Sequence, residues 1–280
     1  MNTLDALILG IVQGLAEYLP ISSSGHLEIC REILGLDLTG AESLQFDLIL
    51  HIATVLSTLV VLWKKFIPLC GAIFGLRFSS SEFSYVLKLL ISAVPVAIVG
   101  FCFKDFIESF FGTDLTIVGI CLCITAALLS FAFFFRTNPL LRDKSQGRPA
   151  PYVPRDITFL DSFIIGVAQA VAVLPGLSRS GSTIATGIIL GDKRHKVAEF
   201  SFFMVIIPIL GEALLDSLKI VSGNSVATGD IGWVPLIVGF LAAFVVGCLA
   251  CRWMIELVSR GKMIWFAIYC IAVGVLCLIW

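Results

Sequence analysis

Apolar residues run along this chain in long blocks, and six of the blocks are long enough to cross a membrane. A spanning helix needs roughly 20 mostly apolar residues, with about 17 as the short limit. Two further blocks, about 4–21 and 159–175, end in proline followed by serine and glycine. We expect these two to be half-spans that turn back inside the membrane. The pattern predicts full spans at about 45–63, 86–103, 115–135, 198–218, 233–251 and 263–280.

Composition agrees with this pattern and defines the class of protein. Of the 280 residues, 58% are hydrophobic and 14% are charged, whereas soluble domains have roughly 45–50% apolar and about 25% charged residues. The chain is therefore predicted to be an all-α polytopic membrane protein with a single membrane domain, 1–280. Its net charge of −1 offers no basic face for nucleic acid, so the bilayer is an expected partner and nucleic acid is not. A short apolar run, 66–76, is expected at the membrane interface or within the bundle.

Lysine and arginine residues between the spans predict the orientation of the bundle, because they accumulate in cytoplasmic loops. The loops 104–114 and 219–230 are predicted to be external. All six spans alternate only if 159–196 enters and leaves from the cytoplasmic side and 1–43 does so from outside, which leaves both termini external. The basic cluster 193–196 is then cytoplasmic, as expected. Three loops are predicted to be cytoplasmic from Lys64, Lys65, Arg77 and Lys88; from Arg136, Arg142, Lys144, Arg148 and Arg155; and from Arg252, Arg260 and Lys262.

Two segments of the chain resemble each other, GIVQGLAEYLPISSSGH (10–26) and GVAQAVAVLPGLSRSGS (166–182). A constant offset of 156 pairs Gln13 with Gln169, Ser22 with Ser178, Ser24 with Ser180, Gly25 with Gly181 and Gly35 with Gly191. Further on, PVAIVGF (95–101) resembles PLIVGF (235–240). Several matches in the same order indicate a duplication. It gives a first repeat, 1–135, a cytoplasmic linker, 136–157, and a second repeat, 158–280.

The two repeats are predicted to have opposite orientations in the membrane. Inverted repeats with short helices interrupted by Gly and Pro indicate a binding site near the membrane midplane. The predicted fold therefore has two inverted-topology repeats, about six transmembrane helices and two re-entrant helical hairpins that meet tip to tip. In the alternative interpretation SSSG and SRSG are plain surface loops, but such loops need not repeat.

The first hairpin carries residues that suit phosphate chemistry. Gln13 and Glu17 are four residues apart and share one helical face. A carboxylate inside an apolar half-helix is costly and marks Glu17 as functional, unless it lies at the water interface. A titratable histidine follows, although a lone buried histidine can also be structural. Hydroxyls and free backbone N–H groups, which bind phosphate oxygens, occur together in the turn Ser22, Ser23, Ser24, Gly25 and His26.

The second hairpin contributes Arg179, which follows Ser178 and precedes Ser180 and Gly181 in the chain. A guanidinium at this depth needs an anionic partner, and its fork suits phosphate. Glu17 or a substrate diphosphate can supply that charge, or both in turn, and Glu17 and His26 are expected to meet Arg179 near the midplane. A structural role explains the remaining polar candidates equally well, and His195 is expected to face solvent. These weaker candidates are Asp47, His51, Glu199, Glu212 and Asp216.

The motifs QGLAEYLPISSSGH (13–26) and PGLSRSGST (175–183) resemble those of the bacterial undecaprenyl-diphosphate phosphatases of the bacitracin-resistance type. The first is similar to that family's (E/Q)xxxE signature with an SSxGH-like turn, and the second to its PGxSRSG motif. EFSF (199–202) and FAIY (266–269) extend the resemblance over essentially the whole chain. The resemblance implies hydrolysis of a polyprenyl diphosphate, undecaprenyl diphosphate, to undecaprenyl phosphate and inorganic phosphate. This reaction recycles the carrier lipid for peptidoglycan synthesis and confers bacitracin resistance.

The resemblance also implies roles for single residues. A divalent cation, magnesium or calcium, is associated with the family, and Glu17 is its candidate ligand, while Gln13 stands where many members have Glu. The expected location is the bacterial inner membrane, with the site open to the periplasm, and a homodimer is one open oligomeric state. The nucleophile is left open between serine, histidine and water. The implied catalytic residues are Glu17, His26, Ser23 and Arg179, and the implied substrate-binding residues are Gln13, Ser22, Ser24, Gly25, Ser178, Ser180 and Gly181.

Two other functions fit parts of the pattern. A secondary transporter or lipid flippase also uses inverted repeats and broken helices, and release of phosphate separates it from an enzyme. A type-2 phosphatidic-acid phosphatase has a PSGH motif similar to SSGH (23–26). That family needs a histidine at short spacing after an SR pair, and the next histidine after Arg179 is His195, so this alternative is set aside.

Overall fold

A computed structural model describes residues 1–76, 78–103, 115–137, 154–221 and 231–280 of the chain. The predicted external loop 104–114, most of the loop 219–230 and most of the linker 136–157 lie outside the described residues. Several basic residues used to predict orientation lie outside them too, namely Arg77, Arg142, Lys144 and Arg148, as does the side chain of Arg136.

Twelve α-helices, and no strand, occur in the part of the chain that the structure describes. This confirms the all-α class. In chain order they are α1 (Thr3–Ala16), α2 (Ser23–Leu34), α3 (Gly40–Val61), α4 (Trp63–Phe74), α5 (Ser81–Cys102), α6 (Leu115–Thr137), α7 (Phe159–Val171), α8 (Arg179–Leu190), α9 (Arg194–Met204), α10 (Ile206–Val221), α11 (Trp233–Ser259) and α12 (Ile264–Ile279).

Five segments among the described residues are long and apolar enough to cross a membrane, which confirms a multi-pass membrane protein. The sixth predicted span, 263–280, is shorter in the structure, because α12 has 16 residues. At 1.5 Å per residue it reaches about 24 Å, less than the roughly 30 Å of a hydrocarbon core. The five segments are Gly40–Val61, Ser81–Cys102, Leu115–Phe135, Arg194–Leu215 and Trp233–Ser259.

Three helices end four residues before a proline: α1 at Ala16 before Pro20, α7 at Val171 before Pro175, and α9 at Met204 before Pro208. Proline has no N–H for the carbonyl four residues earlier, and its ring collides with that carbonyl. The predicted half-spans 4–21 and 159–175 therefore contain helices of 14 and 13 residues, α1 and α7. For the same reason the predicted span 198–218 is not continuous, because α9 and α10 meet at Val205.

Side chains on α11 have the distribution expected of a helix that faces lipid. Helices in a bilayer pack through small residues, since no hydrophobic force drives large ones inward. The buried positions include Gly239, Ala243, Gly247 and Ala250. The opposite face exposes Val234, Ile237, Leu241, Val245 and Leu249.

Each half-span helix packs against a long helix from the other half of the chain. Helix α1 lies along α11, and α7 lies along α5. Both contacts depend on a glycine at the same repeat position. A Cβ atom at Gly10 would lie 2.4 Å from the carbonyl oxygen of Gly239, and one at Gly166 would lie 2.4 Å from that of Ser92. The halves are thus interlocked, which brings the ends of α1 and α7 to the centre of the molecule.

The last residues of the predicted linker are tied to the turn between α8 and α9. The amide of Arg155 donates to the carbonyl of Gly191, and the carbonyl of Arg155 accepts from Lys193. The Asp156 carboxylate lies 2.8 Å from the Lys193 ammonium and 2.9 Å from that of Lys196. Hydrogen bonds from these two lysines lower the pKa of Asp156 to about 2. The basic cluster at 193–196 is therefore partly neutralised by its own neighbour.

Candidate active site

The two Ser/Gly-rich turns cap the helices that follow them in the same way. Ser22 caps α2 by accepting from the amide of Gly25 at 3.2 Å, and Ser178 caps α8 by accepting from Gly181 at 3.0 Å. Both helices have 12 residues and end at a left-handed glycine, Gly35 or Gly191. Positions that the 156-residue offset pairs in the sequence therefore have the same roles, as a serine cap and as a terminal glycine, in both turns.

The two turns also contact each other directly. The Ser24 hydroxyl accepts from the amide of Gly176 at 3.4 Å, and the Ser180 hydroxyl donates to the carbonyl of Leu19 at 3.0 Å. Ser24 and Ser180 are 156 positions apart, the offset of the predicted repeat, so each turn contacts the other through the serine at the corresponding position. These contacts make one compact centre from two distant segments of the chain.

Glu17 lies at this centre and is surrounded by donors. Its side chain is 6% exposed. One carboxylate oxygen, Oε1, accepts from Arg179 Nη2 at 2.8 Å, and the other, Oε2, accepts from Ser23 Oγ at 2.8 Å and from Gln13 Nε2 at 3.0 Å. The Nε2 atom of His51 lies 3.7 Å from Oε2. A charge buried this far persists only when it is paired and hydrogen-bonded, and these contacts meet that requirement.

Arg179 is the first residue of α8 and holds Glu17 with only part of its guanidinium. Within the described residues, Nη2 is the one guanidinium atom that forms a hydrogen bond. An arginine has five N–H donors, so most of this group remains available to an anion. Its side chain is 26% exposed. Arg179 can therefore bind a second anionic group beside Glu17.

His26 does not contact Glu17 or Arg179 among the described contacts, contrary to the expectation that all three would meet. Its Nδ1 lies 2.8 Å from the carbonyl oxygen of Ser22, and its Nε2 lies 2.8 Å from the hydroxyl of Tyr269 on α12. The two rings are stacked, with centroids 5.6 Å apart. His26 thus lies on the other side of the first turn, toward α12.

The weaker candidates divide into one residue at the site and several elsewhere. His51 lies beside Glu17, and its Nδ1 is 2.8 Å from the carbonyl oxygen of Asp47. The Asp47 carboxylate instead binds Arg31, and Glu199 binds Lys65. His195 is exposed, as expected. The side chains of Glu212 and Asp216 lie outside the described residues.

Two buried features in or next to the first turn are unusual. Ser22 has a φ of 72°, a left-handed conformation that costs a non-glycine residue about 1–3 kcal/mol and often marks a functional site. Gln13 Oε1 is buried and has no hydrogen-bond partner, so this acceptor is free for a donor or a cation. The helix starts at Ser23 and Arg179 add partial positive charge on both sides of Glu17.

A small cavity, with room for about one water molecule, lies next to the Glu17–Arg179 pair. The pair and Ser180 line it, together with the polar side chains of Tyr18, Thr54, Thr58 and Ser201. The rest of its lining is apolar and comes from α3 and from the break between α9 and α10: Val55, Phe202, Val205 and Ile209. The cavity is therefore amphipathic, because charged, polar and apolar side chains share its wall.

Two residues of the site had no predicted role. Tyr269 belongs to FAIY (266–269), a segment that carried the family resemblance without an assigned function. Tyr18 is buried behind Glu17, donates to the carbonyl of Thr54 at 2.6 Å and contacts the hydroxyls of Ser57 and Thr58. Both were missed because a tyrosine in an apolar segment does not show which polar group its hydroxyl will contact.

The residues around Glu17 provide a limited set of ligands for a divalent cation. Within the described residues, no three His, Cys, Asp or Glu side chains are grouped as a metal site requires. Glu17 offers a carboxylate, and the unpartnered Gln13 Oε1 offers a second oxygen. Magnesium is commonly held by one or two carboxylates together with substrate phosphates. The donor set therefore fits a cation that a phosphorylated ligand brings with it.

Comparison with known proteins gives the family of the chain. The family model described as bacitracin resistance protein BacA matches residues 6–276. A Bacteroides fragilis protein named undecaprenyl-diphosphatase is 53% identical over 279 residues, which cover 100% of this chain and 98% of that protein. A protein of the same name from Bacteroides thetaiotaomicron is 54% identical, over 98% of this chain and 97% of that protein. Another, from Oceanobacillus iheyensis, is 37% identical, over 97% of this chain and 94% of that protein. The chain belongs to the BacA family of bacitracin resistance proteins.

Proposed function

We propose that this chain hydrolyses undecaprenyl diphosphate to undecaprenyl phosphate and inorganic phosphate. The relatives named undecaprenyl-diphosphatase support this over the full length of the chain. The observation that carries the proposal is the Glu17 carboxylate, which holds Arg179 on one oxygen and Ser23 on the other. An anion-binding group, a base and a hydroxyl thus lie together at the junction of the two turns.

Arg179 binds the substrate beside Glu17. Its unused N–H donors and the free amides at the start of α8 bind the diphosphate. The same charge then stabilises the phosphoryl group during transfer. Because the guanidinium charge is then shared between the carboxylate and the diphosphate, Glu17 becomes a stronger base.

Ser23 is the nucleophile in this proposal. Its Oγ is 2.8 Å from Glu17 Oε2, which places a base within reach of its proton. Ser23 Oγ forms a bond to the terminal phosphorus, its proton passes to Glu17, and the bond to the bridging oxygen breaks, so undecaprenyl phosphate leaves. Water then attacks the phosphoserine, releases inorganic phosphate and regenerates the serine.

Acid quenching of the wild-type protein during turnover tests this step. We expect labelled phosphate to remain on Ser23, and we expect no labelled protein from Ser23→Ala. A Ser23→Ala variant that retains wild-type turnover would instead support direct attack by water.

A divalent cation, magnesium or calcium, is proposed to arrive with the diphosphate. Glu17 and Gln13 Oε1 would be its protein ligands, and it would neutralise charge on the phosphates. Arg179 and the backbone amides of the turns do the remaining binding.

The proposed membrane arrangement has α1–α2 and α7–α8 as re-entrant hairpins of two inverted repeats. The shared caps and left-handed glycines at an offset of 156 support the duplication. The distribution of basic residues supports opposite entry and external termini. In the bacterial inner membrane the site would then open to the periplasm. A protease-accessible N-terminal tag on the periplasmic side is the expected result, and a tag protected in the cytoplasm would contradict it.

The amphipathic cavity supports a lipid substrate over a soluble one. The diphosphate would bind at Glu17 and Arg179, and the first part of the prenyl chain would lie along Val55, Val205 and Ile209. Because the cavity is small, nearly all of a long prenyl chain would extend into the bilayer.

Phosphate release by the purified full chain in detergent tests the proposed function. We expect one inorganic phosphate for each undecaprenyl diphosphate consumed, and we expect a Glu17→Gln variant of equal stability to be nearly inactive. A folded wild-type protein that releases none would favour the transporter or flippase alternative. Dimer formation remains a prediction, to be measured on the same preparation by light scattering.

A further inference from the structure

The contacts of His26 fix which ring nitrogen carries a proton. Its Nδ1 lies 2.8 Å from the carbonyl oxygen of Ser22. A carbonyl only accepts hydrogen bonds, so Nδ1 must be the donor. In the neutral ring Nε2 is then the nitrogen with the lone pair.

Tyr269 holds this second nitrogen. Its hydroxyl is 2.8 Å from Nε2, and its ring stacks on the imidazole at an interplanar angle of 16°. Because neutral Nε2 accepts, the tyrosine hydroxyl donates. The two hydrogen bonds and the stacked ring together fix both the plane of the imidazole and the direction of its lone pair.

The second turn has no such arrangement, although its backbone is similar. The repeat equivalent of His26 is Ser182, whose hydroxyl is buried without a hydrogen-bond partner. The equivalent of Ser22 is Ser178, whose φ is −72° rather than 72°. The strained serine, the histidine and its tyrosine therefore occur together at one turn only, as a specialised device rather than a requirement of the repeat.

We propose that Tyr269 is a positioning residue for the phosphatase reaction: it orients His26, whose Nδ1 in turn holds the carbonyl of the strained Ser22, next to Ser23. The inference rests on the proposed function, and it extends the site to α12, beyond both Ser/Gly-rich turns. Tyr269 acts through His26 and contacts none of the groups around Glu17 in the described structure.

A Tyr269→Phe variant of the full chain tests this role, because phenylalanine keeps the stacked ring and removes only the hydroxyl. Loss of one hydrogen bond corresponds to about 1 kcal/mol, so kcat for undecaprenyl diphosphate should fall about fivefold. KM should change little, since the hydroxyl is distant from the proposed phosphate site. Tyr85→Phe is the matched control, because Tyr85 packs edge-on against Phe200 and Phe203 and should retain wild-type kcat.

A double-mutant cycle with His26→Ala separates a positioning role from a general structural one. If Tyr269 acts through His26, adding Tyr269→Phe to His26→Ala should cause no further loss of kcat. Additive losses, or a Tyr269→Phe variant equal to wild type, would overturn the inference while leaving the proposed function intact. A folded wild-type protein without phosphate release would overturn the proposed function, and the inference with it.

Discussion

Single residues at the junction of the turns combine opposite charges in a buried setting. Glu17 has a side chain only 6% exposed, yet it is paired with Arg179 and receives hydrogen bonds from Ser23 and Gln13. Removing one partner of a buried pair typically costs about 3–5 kcal/mol, because the other charge stays behind. Such residues contribute to stability as well as to chemistry, so conservative substitutions are the informative ones.

Arg179→Lys keeps the charge and removes the guanidinium fork. Lysine can pair with Glu17 but cannot offer several fixed donors to a diphosphate. We therefore expect kcat in the phosphate-release assay to fall about 100-fold, the usual effect of losing a donor to a transition-state oxygen. Arg260→Lys is the control, since Arg260 pairs with Glu256 on the exposed end of α11. Wild-type turnover in Arg179→Lys would show that Arg179 is structural.

Gln13→Glu restores the residue that many relatives were expected to have, and it should increase dependence on a divalent cation. The substitution removes the Gln13 amide group, which donates to Glu17 at 3.0 Å, and places a second carboxylate beside the first. The repulsion is relieved when a cation binds between them. After chelation, we expect the variant to be less active than wild type, and we expect half-maximal activation at about tenfold less magnesium. Equal magnesium dependence in both proteins would argue against Glu17 as a ligand.

At the scale of helices, proline determines where the site can form. Three helices end four residues before a proline, and the ends of α1 and α9 border the cavity. Pro68 and Pro95 nevertheless lie inside α4 and α5, so a proline alone does not end a helix. Pro20 and Pro175 lie in the turns that follow α1 and α7, whereas Pro208 lies in the first turn of α10.

Ile209→Trp should block the apolar end of the cavity. Ile209 is 4% exposed and packs with Val55 and Val205. We expect kcat/KM for undecaprenyl diphosphate to fall about tenfold or more, since an added bulky group in a packed site costs roughly 1–3 kcal/mol. Turnover of methyl diphosphate, which has no prenyl chain to place in the cavity, should be unaffected, which also shows that the variant is folded. Leu241→Trp, on the exposed face of α11, is the control, and equal loss for both substrates would contradict the proposed chain path.

Gly10→Leu should destabilise the contact between the two halves. A side chain there would collide with the Gly239 carbonyl oxygen, 2.4 Å from an ideal Cβ. Overpacking of this kind costs at least about 1–3 kcal/mol, so thermal unfolding in detergent should begin several degrees lower. Gly71→Leu is the matched control, because nothing lies within 4 Å of a Cβ at that position. If Gly10→Leu unfolded at the same temperature as wild type, the stability of the protein would not depend on the close approach of α1 and α11.

At the scale of the whole molecule, local sequence features predicted more than long-range contacts did. The helix starts at Ser22 and Ser178 follow from capping chemistry, and the helix ends at Gly35 and Gly191 follow from glycine's access to positive φ. These features depend on neighbouring residues, which the sequence displays directly. The membrane class followed equally well from composition.

Contacts between distant residues were the part that sequence did not predict. His26 contacts Tyr269, which lies 243 residues later in the chain. His51, and not Asp47, reaches Glu17, because the rotation of α3 about its axis decides which of its side chains face inward. The break at Val205 and the shortness of α12 were missed for a related reason. Hydropathy measures how apolar a segment is and does not register where its backbone hydrogen bonds are interrupted.

The central claim is that one phosphatase site forms where the two turns meet, through the Glu17–Arg179 pair. The most direct measurement is kcat for phosphate release from undecaprenyl diphosphate by wild type, Glu17→Gln, Arg179→Lys and the double variant, all as purified full chains. The account predicts phosphate release by wild type and a steep loss of kcat in each single variant. It also predicts that kcat of the double variant equals that of the less active single variant, because the two residues act as a unit. Absence of release by folded wild type, or strictly additive losses, would contradict it.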